Sequence, residues 1–266
     1  MKAVILAGGF GTRISEESHL KPKPMVEIGG RPILWHIMKI YAHYGFRRFI
    51  LCLGYRGSVI KEYFLNYEAM SSDFTVKLGS QYNLAIDNGH TEQDFSVTLA
   101  ETGLETMTGG RIKRVAKYID TDTFMVTYGD GLANVDIGKL VGYHQNHGKL
   151  ATLLAVQPPS RFGILDLSPE GEVRRFSEKV KHDWINGGFF VFNRSVFDYI
   201  DNDPGCILEQ TPLQNLAASR QLRAYQHDGF WIGMDTFREF EMLNNLWDKN
   251  QAPWAVWHAD QAGQAP

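Results

Sequence analysis

The sequence predicts an α/β fold in which helices flank a mixed, mostly parallel β-sheet. Short apolar runs at residues 1–7, 49–53 and 124–128 are typical of buried strands. Segments 31–45 and 56–67, which carry apolar residues at helical spacing, alternate with those runs. Strand–helix–strand order implies parallel strands with right-handed crossovers, and 266 residues suit one such domain.

The remaining elements follow the same alternation. Residues 162–167 and 173–176 flank Pro169-Glu170-Gly171, which predicts a β-hairpin. The other predicted strands are 74–78, 95–101, 150–156, 185–192 and 222–226, and the other predicted helices are 112–118, 136–148, 195–200, 211–219 and 237–249. We expect one domain at residues 1–258 and a disordered tail at 259–266.

A glycine-rich loop follows the first strand. Gly8, Gly9 and Gly11 allow the backbone to approach a ligand closely, and the guanidinium of Arg13 matches phosphate oxygens. The loop fits neither known phosphate-binding pattern, because Arg13 or Ile14 stands where each pattern requires a small residue. At this point a polyphosphate site and a plain tight turn are both compatible with the sequence.

The segment Lys21-Pro22-Lys23-Pro24 comes soon after this loop. Proline keeps the preceding residue extended, so we expect Lys21 and Lys23 to point to the same side of a stiff segment. Such an arm suits a second contact with phosphate, whereas the alternative is a solvated linker.

Two aspartates end apolar segments far apart in the chain. Asp130 lies between Gly129 and Gly131 at the carboxyl end of a predicted strand, where ligands bind on parallel sheets. Asp235 follows the apolar segment 230–234. Two carboxylates in one crevice suit Mg²⁺, although an Asx-turn and a helix N-cap are the simpler interpretations of each residue alone.

Two further glycine pairs are candidates for ligand contacts. We expect Gly109-Gly110 to form a turn before a helix at 112–118, with Arg111 at its end. Gly187-Gly188 leaves room for a flat ligand such as a sugar ring, and Asn186 can hydrogen-bond its hydroxyl groups. A hinge and a strand bulge are the alternatives.

These motifs together resemble the sugar-1-phosphate nucleotidylyltransferases. The resemblance is carried by Leu-Ala-Gly-Gly-x-Gly-Thr-Arg at 6–13, by Lys-Pro-Lys-Pro-Met-Val-Glu-Ile-Gly-Gly from residue 21, and by the later motifs to about residue 257. It implies a Rossmann-like fold with a nucleotide-binding half at about 1–135, and a sugar-binding half with a small β-hairpin part and a C-terminal helix at about 136–258. Within the family, the likeness is to members that transfer a cytidylyl group from CTP to glucose 1-phosphate with Mg²⁺ as cofactor.

The resemblance assigns roles to particular positions. Glu178 and Lys179 match a Glu-Lys-Pro motif, but Val180 stands where the family has proline. The implied nucleotide-binding residues are Leu6, Ala7, Gly8, Gly9, Phe10, Gly11, Thr12, Arg13, Lys23, Thr106, Arg111, Gly129 and Asp130; the sugar-phosphate residues are Glu178, Lys179, Asn186, Gly187 and Gly188; the metal ligands are Asp130 and Asp235; and the catalytic residues are Arg13, Lys23, Asp130, Lys179 and Asp235.

Composition limits the other possibilities. A net charge of −3 and a pI of about 6.3 do not favour nucleic-acid binding, and the lack of a signal or membrane-length apolar run predicts a cytoplasmic location. The resemblance implies a homo-oligomer, a hexamer or other multimer, on a deoxysugar route to bacterial lipopolysaccharide O-antigen. A thymidylyl- or uridylyltransferase and a non-catalytic nucleotide-sugar-binding relative remain alternatives, although Arg13, Lys23, Asp130 and Asp235 are all present and favour catalysis.

Overall fold

The computed structural model describes residues 1–10, 21–79, 82–86, 90, 92, 94–158, 163–177 and 183–258. The strands are β1 Ala3–Leu6, β2 Glu27–Ile28, β3 Arg31–Pro32, β4 Arg48–Leu53, β5 Phe74–Lys77, β6 Asn83–Ile86, β7 Ser96–Glu101, β8 Thr123–Tyr128, β9 Gly131–Ala133, β10 Ala151–Val156, β11 Ile164–Leu167, β12 Val173–Ser177, β13 Ile185–Asn193, β14 Leu222–His227 and β15 Trp231–Gly233. The α-helices are α1 Ile33–His43, α2 Gly57–Leu65, α3 Tyr67–Met70, α4 Thr108–Arg114, α5 Ile137–His147, α6 Thr211–Ala218 and α7 Phe237–Asp248. The predicted tail at 259–266 lies outside the described residues.

Seven strands form the central sheet, in the order β14-β10-β13-β8-β1-β4-β7. Four neighbouring pairs are parallel, namely β1 with β4, β1 with β8, β4 with β7, and β10 with β14. The strand β13 runs antiparallel to both β8 and β10. The predicted mixed, mostly parallel sheet is therefore confirmed.

The central strands are buried on both faces, as continuous apolar runs predict for a helix-covered sheet. On β1, Ala3 and Ile5 pack into one core cluster and Val4 packs into the cluster on the opposite face. The first of these clusters includes the buried side of α1, which begins directly after Pro32. The sheet is therefore covered by apolar side chains on both faces.

The prediction of a glycine turn at Gly109-Gly110 is wrong. Both glycines lie inside α4, which begins at Thr108 rather than at residue 112. Gly109 is needed for close packing and not for a turn, because a Cβ on it would lie 2.7 Å from the Sγ atom of Cys206. The helix therefore packs directly against the chain segment that precedes α6.

The chain after α7 folds back onto the core. Trp254 is fully buried, and its indole nitrogen donates a hydrogen bond of 3.3 Å to Nδ1 of the buried His36. Burial lowers the pKa of His36 to about 4, although hydrogen bonds to backbone carbonyls oppose that shift. None of the helices in the described ranges combines the length and apolar character needed to cross a membrane.

Candidate active site

A cleft of about 670 Å³ opens at the edge of the sheet where β1 and β8 end. Ligands bind at the carboxyl ends of parallel strands on such sheets. Because β13 is antiparallel to β8, the amino-terminal residues of β13 lie at this same edge. One cleft therefore receives the loop after β1, the loop after β8 and the start of β13.

Most of the residues predicted from the sequence lie in the wall of this cleft. The predicted residues that line it are Leu6, Ala7, Gly8, Gly9, Phe10, Lys23, Thr106, Arg111, Gly129, Asp130, Asn186, Gly187, Gly188 and Asp235. The predicted residues Gly11, Thr12, Arg13, Glu178 and Lys179 lie outside the described residues.

Asp130 and Asp235 are brought together by a short strand pair. Asp130 directly precedes β9, and Asp235 follows β15 after one residue. The two strands are antiparallel, with Gly131 opposite Gly233, and the backbone N–H of Met234 donates to the carbonyl of Asp130 at 2.9 Å. This pairing places two carboxylates from distant parts of the sequence at one point of the cleft.

Lys23 lies between these carboxylates. Its Nζ donates to Oδ2 of Asp130 at 2.6 Å and to Oδ1 of Asp235 at 2.8 Å. Burial alone would lower the pKa of Lys23, but the two carboxylates more than offset that effect and the pKa is raised. The ammonium group is therefore a cation held at the point where two anionic oxygens converge.

The local backbone explains how Lys23 reaches this position. Residues 23–25 form a single 3₁₀ turn after Pro22, with Pro24 buried. Gly129 allows close packing here, because a Cβ on it would lie 3.0 Å from Cγ of Pro24 and 2.7 Å from the carbonyl oxygen of Leu6. The end of β8 therefore rests on the turn that carries Lys23.

The prediction that Lys21 and Lys23 point to the same side of a straight segment is wrong. The turn at 23–25 bends the chain, and Lys21 pairs instead with Glu27 at 2.5 Å on the protein surface. Pro24 is the second residue of this turn, so the usual preference of the residue before proline for extended backbone did not hold at Lys23.

The donor set at Asp130 and Asp235 fits Mg²⁺. Both side chains are about one-third exposed, and each already coordinates one cation, the ammonium of Lys23. In the described ranges, no group of three or more His, Cys, Asp or Glu side chains converges on a point. Two carboxylates suit Mg²⁺, which usually keeps several waters and binds through one or two carboxylates and substrate phosphates.

Arg111 connects the ends of three neighbouring strands. Its Nη2 donates to the carbonyl of Gly8 after β1 at 2.8 Å, and its Nη1 donates to the carbonyl of Leu53 on β4 at 3.0 Å. Nη1 also donates to Oγ1 of Thr102 at 2.7 Å and to the carbonyl of Gly103 at 2.8 Å, both just after β7. The guanidinium, which is nearly fully buried, therefore holds the glycine loop in place.

We expect Arg111→Met to lower the free energy of unfolding by about 3–5 kcal/mol, because several buried acceptors would lose a charged donor. Denaturant unfolding measures the change. The control is Lys117→Met, because Lys117 is exposed and lies three residues after the end of α4. We expect it to change the free energy of unfolding by no more than about 0.5 kcal/mol. A loss of less than about 1 kcal/mol for Arg111→Met would contradict the structural role of this residue.

The sequence did not single out several residues of the cleft. Tyr128, Thr108 and Glu209 share a hydrogen-bonded cluster, and the indole nitrogen of Trp231 donates to the carbonyl of Gly187 at 2.7 Å. Tyr128 is signalled only by its place before Gly129-Asp130. Glu209 lies in an irregular segment before α6, where no pattern predicts which way a side chain points.

Comparison with known proteins places the chain among relatives. A family model described as Nucleotidyl transferase matches residues 2–243. Glucose-1-phosphate cytidylyltransferase of Salmonella typhi is 54% identical over 260 residues, covering 97% of this chain and 100% of the relative. The probable glucose-1-phosphate cytidylyltransferase of Bacillus subtilis is 46% identical over 258 residues, with coverage of 97% and 100%. Mannose-1-phosphate guanyltransferase of Saccharomyces cerevisiae is 30% identical over 250 residues, covering 90% of this chain and 63% of the relative.

Solved structures share the fold. The crystal structure of HddC from Yersinia pseudotuberculosis complexed with GMP-PN matches with a TM-score of 0.67 and 22% identity, covering 92% of this chain and 99% of that chain. The structure of UDP-glucose pyrophosphorylase complexed with UDP-glucose matches with a TM-score of 0.66 and 14% identity, covering 94% and 98%. At these identities the likeness concerns the fold alone, and it agrees with the predicted Rossmann-like arrangement.

Proposed function

Because this chain belongs to the nucleotidyl transferase family, we propose that it transfers a cytidylyl group from CTP to glucose 1-phosphate, giving CDP-glucose and pyrophosphate. Nucleotidyl transfer is supported mainly by one observation, the convergence of Asp130, Asp235 and Lys23 in one cleft at the carboxyl ends of the strands. The choice of CTP and glucose is supported by full-length likeness to relatives named for that reaction.

The reaction needs charge neutralisation and alignment rather than a general base. A phosphate monoester has a second pKa of about 6, so the sugar phosphate is already mostly dianionic at neutral pH. One of its oxygens forms a bond to the α-phosphorus of CTP while the bond to the β-phosphate oxygen breaks and pyrophosphate leaves. Catalysis of such transfers consists largely of positioning and electrostatic stabilisation.

Asp130 and Asp235 would hold Mg²⁺, which when bound neutralises charge on the reacting phosphates. The ammonium of Lys23 lies between the same two carboxylates, within 2.8 Å of each. We infer that this ammonium balances the two negative charges before substrates bind and moves onto a phosphate oxygen when the nucleotide arrives. Two like charges at one point repel each other, and the ammonium between them reduces that repulsion.

Further residues would contact the substrates. The loop at Gly8 and Gly9, fixed by Arg111, would present backbone donors to the nucleotide. Asn186 and the glycines after it would contact the sugar at the start of β13. By resemblance, Arg13 would contact the triphosphate and Lys179 would hold the phosphate of the attacking sugar phosphate.

A measurement of pyrophosphate release tests the proposal. Protein is incubated with glucose 1-phosphate, Mg²⁺ and, separately, CTP, UTP, dTTP, ATP and GTP. We expect strong preference for CTP and loss of activity on chelation of the metal. Release with dTTP or UTP instead would keep the mechanism but contradict the choice of base.

Absence of release with every nucleotide, across several sugar phosphates, would overturn the catalytic proposal and favour a nucleotide-sugar-binding protein of the same fold. The homo-oligomer stays a prediction from the resemblance, and light scattering measures it. The cytoplasmic location stays a prediction from the sequence.

A further inference from the structure

A polar cluster lies in the cleft wall beside the proposed metal ligands. Tyr128, the last residue of β8, donates a short hydrogen bond to Oε1 of Glu209. Thr108, the first residue of α4, donates to Oε2 of the same carboxylate at 2.6 Å. All three side chains line the cleft, so Glu209 is fixed at both of its oxygens beside the space that a ligand would fill.

The cluster is joined to β13, the strand that carries the residues proposed to contact the sugar. Nδ2 of Asn186 donates to the hydroxyl oxygen of Tyr128 at 3.2 Å. Gly188, at φ +80°, brings the backbone of β13 so close that a Cβ there would lie 2.4 Å from the ring of Tyr128. The hydroxyl of Tyr128 is therefore held from both sides, by Asn186 and by Glu209.

The charge of Glu209 is unusual for this position. It is half-buried, and across the described ranges no Lys, Arg or His side chain forms an ion pair with it. Its hydrogen-bond partners are two neutral hydroxyl groups. A carboxylate offers about four acceptor positions, so roughly half of its capacity remains for a ligand.

The chemistry of this carboxylate selects what can bind to it. An unpaired, partly buried carboxylate is costly unless donors reach it. It repels phosphate groups, which Lys23 attracts, and it accepts hydrogen bonds from hydroxyl groups. A ligand with an anionic end and a hydroxylated end is the chemical class that satisfies both parts of this cleft.

We propose that Glu209, held by Tyr128 and Thr108, is a specificity-determining residue that accepts hydrogen bonds from ring hydroxyl groups of the sugar phosphate. The contact of Tyr128 with Asn186 and Gly188 on β13 assigns the cluster to the sugar rather than to the ribose of the nucleotide. This inference rests on the proposed function and deepens it.

The test compares wild type with Glu209→Gln, using kcat/KM for glucose 1-phosphate and for its 2-, 3-, 4- and 6-deoxy analogues. Glutamine keeps the shape of the side chain but replaces one acceptor oxygen with a donor. A site built to bind a hydroxyl group rejects an analogue that lacks it, so wild type should disfavour at least one analogue strongly. In Glu209→Gln we expect that preference to fall roughly 10- to 100-fold.

Controls separate this role from a general loss of structure. Glu241→Gln makes the same chemical change at an exposed site on α7 and should leave the preference unchanged. Tyr128→Phe removes one hydroxyl group and leaves Glu209 bonded to Thr108, and it should weaken the same preference to a smaller extent. Melting temperatures of all variants show whether each is folded.

Three results would separate the inference about Glu209 from the proposed function of the protein. An unchanged ranking of the deoxy analogues in both folded variants would overturn the inference and leave the proposed function intact. A change in the preference for CTP over 2′-deoxy-CTP, with the sugar ranking preserved, would also overturn it and assign the cluster to the ribose. Absence of pyrophosphate release by wild type with every substrate pair would instead overturn the proposed function.

Discussion

Asp130→Asn is expected to reduce kcat by roughly 1000-fold, an effect comparable with the loss of one well-placed electrostatic group in other enzymes. The amide has nearly the shape of the carboxylate, but it lacks the charge that binds Mg²⁺ and offers one oxygen instead of two. Asp130→Ala should abolish turnover for the same reason. Steady-state pyrophosphate release with CTP and glucose 1-phosphate measures both variants.

The same changes should have little effect on folding. The side chain of Asp130 is 32% exposed, and Lys23 keeps its contact with Asp235 when Asp130 is neutral. We therefore expect the free energy of unfolding to change by no more than about 1 kcal/mol. The exposed Asp198→Asn is the matched control and should change neither quantity. Activity of Asp130→Asn within tenfold of wild type would show that this carboxylate is not a metal ligand.

The parts of the fold that the sequence predicted are those that local patterns specify. Apolar runs of strand length mark β1, β4 and β8, since strands buried on both faces need nearly continuous apolar residues. The abrupt change from Tyr128 to Gly129-Asp130 marks a strand that ends in a crevice. These features depend on neighbours in the sequence, which is why they could be predicted.

The features that the sequence did not predict depend on contacts between distant segments. Gly109 gives a turn signal in the sequence, but its small size serves the contact with Cys206. The position of Lys23 depends on Pro24 packing against Gly129, and the meeting of the two aspartates depends on β9 pairing with β15. A pattern of residue types contains no information on which distant segment supplies the partner.

Glu209 is the clearest example of a residue whose role depends on distant segments and could not be predicted from the sequence. It has no motif, and its role depends on hydroxyl groups contributed by the end of β8 and the start of α4. A glutamate in a polar segment is usually solvated, so only the structure distinguishes it from the exposed acidic residues around it.

Lys23→Gln should have opposite effects on metal binding and on turnover. In the ligand-free chain the ammonium occupies the space between the carboxylates of Asp130 and Asp235. Its removal takes one positive charge from between the two carboxylates, so we expect affinity for Mn²⁺ alone to rise roughly tenfold or more. Turnover should nevertheless fall by roughly 100- to 1000-fold, because the same ammonium is needed at the phosphates during the reaction.

The structure offers a matched control two residues away. Lys21 is an exposed lysine that pairs with Glu27, and Lys21→Gln should alter neither metal affinity nor turnover by more than about twofold. Electron paramagnetic resonance titration with Mn²⁺ measures affinity without nucleotide, and therefore without dependence on activity.

The melting temperature of Lys23→Gln provides a second measurement of metal binding. Repulsion between Asp130 and Asp235 should lower the melting temperature of Lys23→Gln in the absence of metal. A divalent cation should restore the melting temperature, because a ligand that binds only the folded state stabilises that state. Wild type, which already contains its own cation at this point, should respond much less. Equal or weaker Mn²⁺ binding by Lys23→Gln would show that the ammonium does not stand at the metal position, and that the two carboxylates serve mainly to hold the lysine.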